Sequence, residues 1–409
     1  MATQETATVD PLTKTNPTKV SRQPGIYERL NTALRSFRVL KDLTPEQVDS
    51  FMKSYVIYDL DWANEKQMIE VLGPDYQKKV GQCLSDYYAV LNHLCAIGEL
   101  EKMYVPPILD ASASVITNQI LYEELVASEL QLPPNAKVLD IGCGRGRVAA
   151  HMTEMTDAHV TGLNIDTDQL ASAVEYNKLV NFSNTFVHQD MNELPLPFAN
   201  EHFDGFYQIQ AFSLCKDLPK LCAELFRVLK PGARLSLLDW ASLEAYNPED
   251  PHHQELMRCV KPIIGAVGTP TPQSMIAALE GAGFRMIRHY APFLERLKSY
   301  FYTARWAMQG LTTVGLLPMH FRTLFNRMTQ DSDAFIEADQ TRLITTCYHW
   351  VAEKPGGKLD SLASEDAEVG GAGEEASPRG SGPRRGVEGA ARVEAKALEE
   401  QSAELEARA

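Results

Sequence analysis

An α/β fold with a parallel, doubly wound sheet and helical additions at both ends is predicted by three observations. The apolar run Val138-Leu139-Asp140-Ile141 breaks into Gly142, Gly144 and Gly146, and Val148-Ala149-Ala150 then opens a helical pattern. Strand-like and helix-like segments alternate from Lys137 to about Trp240, which implies parallel strands joined by helices. From Ile26 to about Pro107 the apolar spacing is helical instead.

The elements follow in order. Leu43-Thr44-Pro45-Glu46 starts a helix, with Thr44 as cap and Pro45 in its first turn. Ser85 to Leu94 and Ala113 to Leu130 read as two more, separated by the Pro106-Pro107 break. Small residues at the turn after the first strand let a backbone approach a ligand, and the helix start points bare N–H groups at it. Asp140 precedes the glycines, which suits an amino-acid ammonium better than a pyrophosphate. His159 to Asn164, Phe186 to Asp190 and Phe203 to Ile209 read as the next three strands. Arg227 to Ala233 is the helix end and turn before a fifth. A helix over Thr271–Leu279 ends at Gly281 and Gly283, and Phe284–Ile287 and Cys347–Ala352 complete the strands. The roughly 50 residues between those two are too apolar for a free loop and are expected to fold as helices over the site.

Composition narrows the function. The net charge of −15, with no compensating basic patch, argues against nucleic acid as a partner. Seven cysteines without Cys-x-x-Cys spacing argue against a zinc site or a disulfide framework and for a reducing compartment; no metal is expected. Trp306 to Pro318, flanked by Arg305 and Arg322, is too short to span a bilayer and suits a lid or core helix. Residues 1–24 carry neither a secretory signal nor a clear transit peptide, so the chain is expected in the cytoplasm or an organelle, not outside the cell. Residues 356–409 are rich in Gly, Ala, Glu, Ser and Arg and are expected to be an acidic, disordered tail, like residues 1–24. Residues 25–110 form the expected helical region and 111–355 the catalytic domain, with its cap at about 290–340.

The D-x-G-x-G-x-G turn resembles motif I of the class I S-adenosylmethionine (SAM) methyltransferases, which have a Rossmann-like fold, and the later blocks agree in order. The resemblance implies SAM as cofactor, held by Asp140, Gly142, Gly144, Asn164, Asp190 and Met191, with Asp190 toward adenine. Most of that superfamily has an acid where this chain has Asn164; an amide still bonds a ribose hydroxyl, without charge assistance. From about Tyr87 to Pro355 the layout resembles the sterol 24-C-methyltransferases. The blocks carrying this are Tyr87-Tyr88, Gly162-Leu163-Asn164, Tyr246-Asn247-Pro248, Pro251-His252-His253 and Ala352-Glu353-Lys354-Pro355.

The departures from that family matter. Where the sterol enzymes carry Tyr-Glu-Tyr-Gly-Trp-Gly, this chain has His93-Leu94-Cys95-Ala96-Ile97-Gly98. Their Ile-Glu-Ala-Thr-Cys-His becomes Ile209-Gln210-Ala211-Phe212-Ser213-Leu214, and Gln210 can position a ligand but cannot accept a proton. Methylating an alkene leaves a carbocation that must shed a proton, whereas a thioether has none to lose. The block Gly98 to Pro107 also looks like the methylthiohydroxybutyrate S-methyltransferases of dimethylsulfoniopropionate synthesis.

The leading expectation is therefore S-methylation of a small thioether hydroxy acid. Sterol or triterpene C-methylation is the alternative, and a SAM-binding scaffold without catalysis the third reading. Tyr88, Tyr104 and Gln210 are the candidate catalytic residues, with Tyr88 and Tyr104 able to offer a ring or hydroxyl to positive charge. Lys102, Arg145 and Arg147 are candidates for an acceptor carboxylate, and His93 and His151 for a base; surface solvation or core packing is the bland account of each. His252-His253 is read as part of a polar loop. The expected partner is a small-molecule acceptor, with a homodimer as the candidate assembly.

Overall fold

A computed structural model describes residues 26–356, apart from 61, 63, 98–100, 269, 292–309, 311–322, 325 and 328. Four helices come first: α1 (Ile26–Lys41), α2 (Pro45–Ser54), α3 (Glu65–Leu72) and α4 (Tyr76–Ile97). Thr44 caps α2 as read, and the cap is reciprocal: the Thr44 hydroxyl accepts from Gln47 N while the Gln47 side chain accepts from Thr44 N. The helix expected over Ser85–Leu94 is the middle of the longer α4. An aromatic cluster of Phe51, Tyr55, Tyr58 and Tyr87 welds this layer, with ring centroids 5.4–5.9 Å apart.

After α5 (Val115–Leu130) come β1 (Lys137–Ile141), α6 (Arg147–Thr156), β2 (His159–Asn164), α7 (Thr167–Leu179), β3 (Thr185–His188) and β4 (Phe203–Ile209). Then follow α8 (Leu218–Val228), β5 (Leu229–Ser242), α9 (Pro251–Ile264), α10 (Pro272–Gly281), β6 (Arg285–Tyr290), α11 (Ser332–Gln340) and β7 (Ile344–Glu353). The sheet order is β3-β2-β1-β4-β5-β7-β6. Strands β1 to β5 are parallel, and β7 runs antiparallel between β5 and β6. Because both faces are covered, the strands read as continuous apolar runs: Val138, Leu139 and Ile141 are fully buried. The chain leaves β1 toward β2 on one side and reaches β4 on the other. That reversal opens a crevice at the carboxyl ends of β1 and β4.

Two readings are corrected in detail. The third strand stops at His188, so Gln189 and Asp190 belong to the loop that follows. His252 and His253 are not in a loop: they occupy the first turn of α9, where the Asp250 carboxylate accepts from both backbone N–H groups. Of the expected cap, α11 is helical, while Trp306 to Pro318 apart from Gly310 lies outside the described residues, as do residues 1–24 and 357–409. No helix among the described residues is long and apolar enough to cross a membrane.

Candidate active site

The glycine turn is shaped by backbone conformations that only glycine adopts without strain. Gly142, Gly144 and Gly146 have φ of 80°, 51° and 69°. Packing adds a second constraint, since a Cβ on Gly142 would lie 2.4 Å from that of Ala211. Cys143 is a buried filler whose sulfur would be 2.7 Å from a Cβ on Gly162. Gly146 caps α6, so the turn leads directly into the first bare N–H groups of that helix.

Asp140, at 3% exposure, accepts one hydrogen bond of 2.9 Å from the Tyr207 hydroxyl and has no ion pair with a described residue. Burial pushes its carboxyl up to about 7; the bond from Tyr207 opposes this and the nearby Glu123 charge adds to it. A buried acid at a ligand-facing turn, lacking a cation of its own, fits a ligand that brings one. Asn164, at the end of β2, donates to Gln169 Oε1 at 2.8 Å, which leaves its Oδ1 as the amide end able to accept from a hydroxyl. The amide thereby offers the same acceptor an acid would. Asp190 uses Oδ1 to hold the turn after β3, accepting from Asn192 N and Nδ2 at 2.9 and 3.1 Å. The turn-holding and ligand-facing readings of Asp190 are therefore compatible, since Oδ2 is a separate acceptor. Asp140, Gly142, Gly144, Asn164, Asp190 and Met191 all line one cleft, whose empty space, open mouth included, is about 1100 Å³. In this arrangement Asp140 would hold the ammonium, the glycine turn the amino-acid backbone, Asn164 the ribose and Asp190 the adenine.

Tyr88, Tyr104 and Gln210 line the same cleft, but two of them have other work. The Tyr104 hydroxyl is buried, donating to Glu123 Oε1 at 2.7 Å and lying 3.0 Å from Gln119 O. Gln210 sits at φ 54° with its amide spent on backbone. Nε2 donates to Val105 O at 3.0 Å and Thr346 O at 2.7 Å, and Oε1 accepts from Val105 N at 3.0 Å. Gln210 thus ties the segment before α5 to β4 and β7. Tyr88 stacks edge-on against Tyr87 at 5.3 Å.

Lys102, Arg147 and His151 are also engaged. Lys102 pairs with Glu123 at 2.6 Å, and Arg147 with Glu101 at 3.2 Å while lying 3.6 Å over the Tyr176 ring. Arg145 stays in the cleft wall. His151, fully buried, places Nδ1 2.6 Å from Glu123 Oε2. Burial, with the Arg145 and Arg35 charges, pushes the His93 imidazole below its usual range.

Sequence reasoning missed Glu123, which receives Lys102, Tyr104 and His151 at once. Burial opposes its charge, yet Lys102 and His151 hold the carboxyl below its usual range. It also missed Asp239 on β5, whose Oδ2 accepts from Phe212 N at 2.7 Å and Ser213 N at 3.2 Å and fixes the loop after β4. The signal for Glu123 was present: Asn118, Gln119, Tyr122, Glu123 and Val126 recur at helical spacing on the buried face of α5.

The strand order and the reversed seventh strand are those of the class I methyltransferase fold, and residues 139–237 match the methyltransferase domain family, whose cofactor is SAM. The chain is an enzyme of that class, similar in sequence to sterol 24-C-methyltransferases. The sterol 24-C-methyltransferase of Neurospora crassa is 26% identical over 262 residues, covering 57% of this chain and 69% of the relative. Squalene methyltransferase 1 of Botryococcus braunii is 27% identical over 255 residues, covering 58% of this chain and 67% of the relative. Among solved structures, a cyclopropane synthase of Mycobacterium tuberculosis shares the fold at 16% identity. Its TM-score is 0.54, and the match covers 63% of this chain and 91% of that one.

Proposed function

We propose that this methyltransferase delivers its methyl group to the sulfur of a small thioether acid of the 4-methylthio-2-hydroxybutyrate kind. The observation that carries the reading is Gln210, whose amide cannot take a proton and is already engaged by the backbone of Val105 and Thr346. SAM supplies an electrophilic methyl group when bound. The chain has only to line up the attacking sulfur with it and keep water away, because a sulfonium product has no proton to lose. Two carboxylates beside the cleft have cationic partners: Glu101 pairs with Arg147, and Glu123 with Lys102. The test is incubation with SAM and methylthiohydroxybutyrate, followed by mass spectrometry. The sulfonium product is expected; its absence, alongside turnover of a sterol, would reject the reading.

The second reading is C-methylation of a sterol or triterpene, and the names of the relatives favour it more directly than the first. It requires a group that collects the proton released at carbon. Turnover of a sterol or squalene with loss of one substrate proton per methyl gained would establish it in place of the thioether.

A further inference from the structure

Residues 101–105 have no regular secondary structure, yet side chains from elsewhere satisfy much of their backbone. Gln119 Nε2 donates to Lys102 O at 3.1 Å and Tyr104 O at 2.9 Å. Gln210 takes both the N–H and the carbonyl of Val105, and Cys347 Sγ donates to the same carbonyl at 3.1 Å. On the side-chain level, Lys102 Nζ and the Tyr104 hydroxyl both reach Glu123, at 2.6 and 2.7 Å. Glu101, one residue earlier, is tied to Arg147 at the start of α6. The segment therefore runs from the glycine turn to the end of β4, pinned at each of these residues but one.

That one is Met103. Its two neighbours turn their polar tips to the same carboxylate, and Met103 lies between them, lining the cleft with no polar side-chain group to satisfy. In doubly wound folds the reacting groups lie at the carboxyl ends of the central strands, here β1 and β4; this segment is tied to Gln210 just past β4 and, through Glu101, to Arg147 at the start of α6. We propose that Met103 is the specificity-determining residue for the methyl acceptor, presented by a wall that Glu123, Gln119 and Gln210 hold rigid. This rests on the methyltransferase reading but on neither acceptor in particular. A flexible thioether side chain on a fixed backbone can grade acceptor size at the reacting atom without recognising any polar group.

The experiment uses the full chain with whichever acceptor the wild type methylates, thioether or sterol, together with its homologue one carbon larger. Wild-type turnover decides the reading of the function, and the variant-to-wild-type ratios decide the role of Met103. Met103→Ala is expected to change the kcat/KM ratio of the two acceptors about tenfold in favour of the larger. Met103→Phe is expected to shift it the other way, and Met103→Leu to stay near wild type. SAM affinity by calorimetry should stay within about twofold throughout, which also reports that the variants are folded. An unchanged acceptor ranking in both Ala and Phe variants would overturn the proposal. So would a loss of SAM affinity matching the loss in kcat/KM, because Met103 would then lie against the cofactor.

Discussion

Facing walls of the cleft are made of different material. At the ends of β1 to β3 the proposed cofactor contacts depend on backbone turned by Gly142, Gly144 and Gly146, and on short side chains at loop starts, Asp140, Asn164 and Asp190. Across from them, residues 101–105 follow no regular path and are held by the side chains of Gln119 on α5 and Gln210 just past β4. The first wall is built mainly from residues close together in sequence. The second depends on partners 15 to 242 positions away, so each of its polar groups matters through what it would leave unpaired.

The largest expected effect breaks the second wall. Glu123→Leu would strand Lys102, His151 and the Tyr104 hydroxyl in the interior and should cost about 3–5 kcal/mol of stability, read by urea unfolding. Glu123→Gln keeps the shape and should cost less. If the leucine variant were as stable as wild type, the clamp would be idle. Next, Asp140→Asn removes the charge that the first wall offers an ammonium, and SAM affinity should fall at least about tenfold, or about 1.4 kcal/mol.

The pH dependence sharpens the same point. Free Asp140 titrates at about 7, above the ordinary aspartate value, so below that pH a proton must leave before the ammonium can pair. Affinity should therefore rise as pH increases through about 7. It should fall again once the ligand's own amine deprotonates, near 8 for an α-amino group. Calorimetry in buffers of different ionisation enthalpy should show proton release on the acidic side, and Asp140→Asn should abolish it. Gln210→Ala should cost about 1–3 kcal/mol by leaving Val105 and Thr346 backbone groups unpaired, while Asp140-dependent binding persists. The smallest effect lies outside the cleft: Thr44→Ala should cost about 1 kcal/mol through its cap and leave SAM affinity unchanged.

The same contrast explains what could be read from the chain alone. The capping of α2, the β1 turn, the bounds of β2 and β4 and the helix ending at Leu130 all follow from near neighbours, and the structure agrees with each. Third-strand length depended on where β2 stops offering hydrogen bonds, at Asn164 opposite His188, which sequence does not state. His252 and His253 looked like loop because Pro248 and Pro251 surround polar residues, yet Pro251 and Asp250 are a helix start. Tyr104 and Gln210 were visible as polar residues near the site, but not that their tips would be spent on Glu123, Val105 and Thr346. Those pairings exist only after the sheet has closed.

Titrating SAM into the wild-type chain and into Asp140→Asn at pH 7.5, with heat and proton release followed together, reaches the centre of this account. The cation-pairing carboxylate at the glycine turn requires a weaker dissociation constant by about an order of magnitude in the variant. Equal affinities for the two proteins would place the donor's amino-acid end somewhere else.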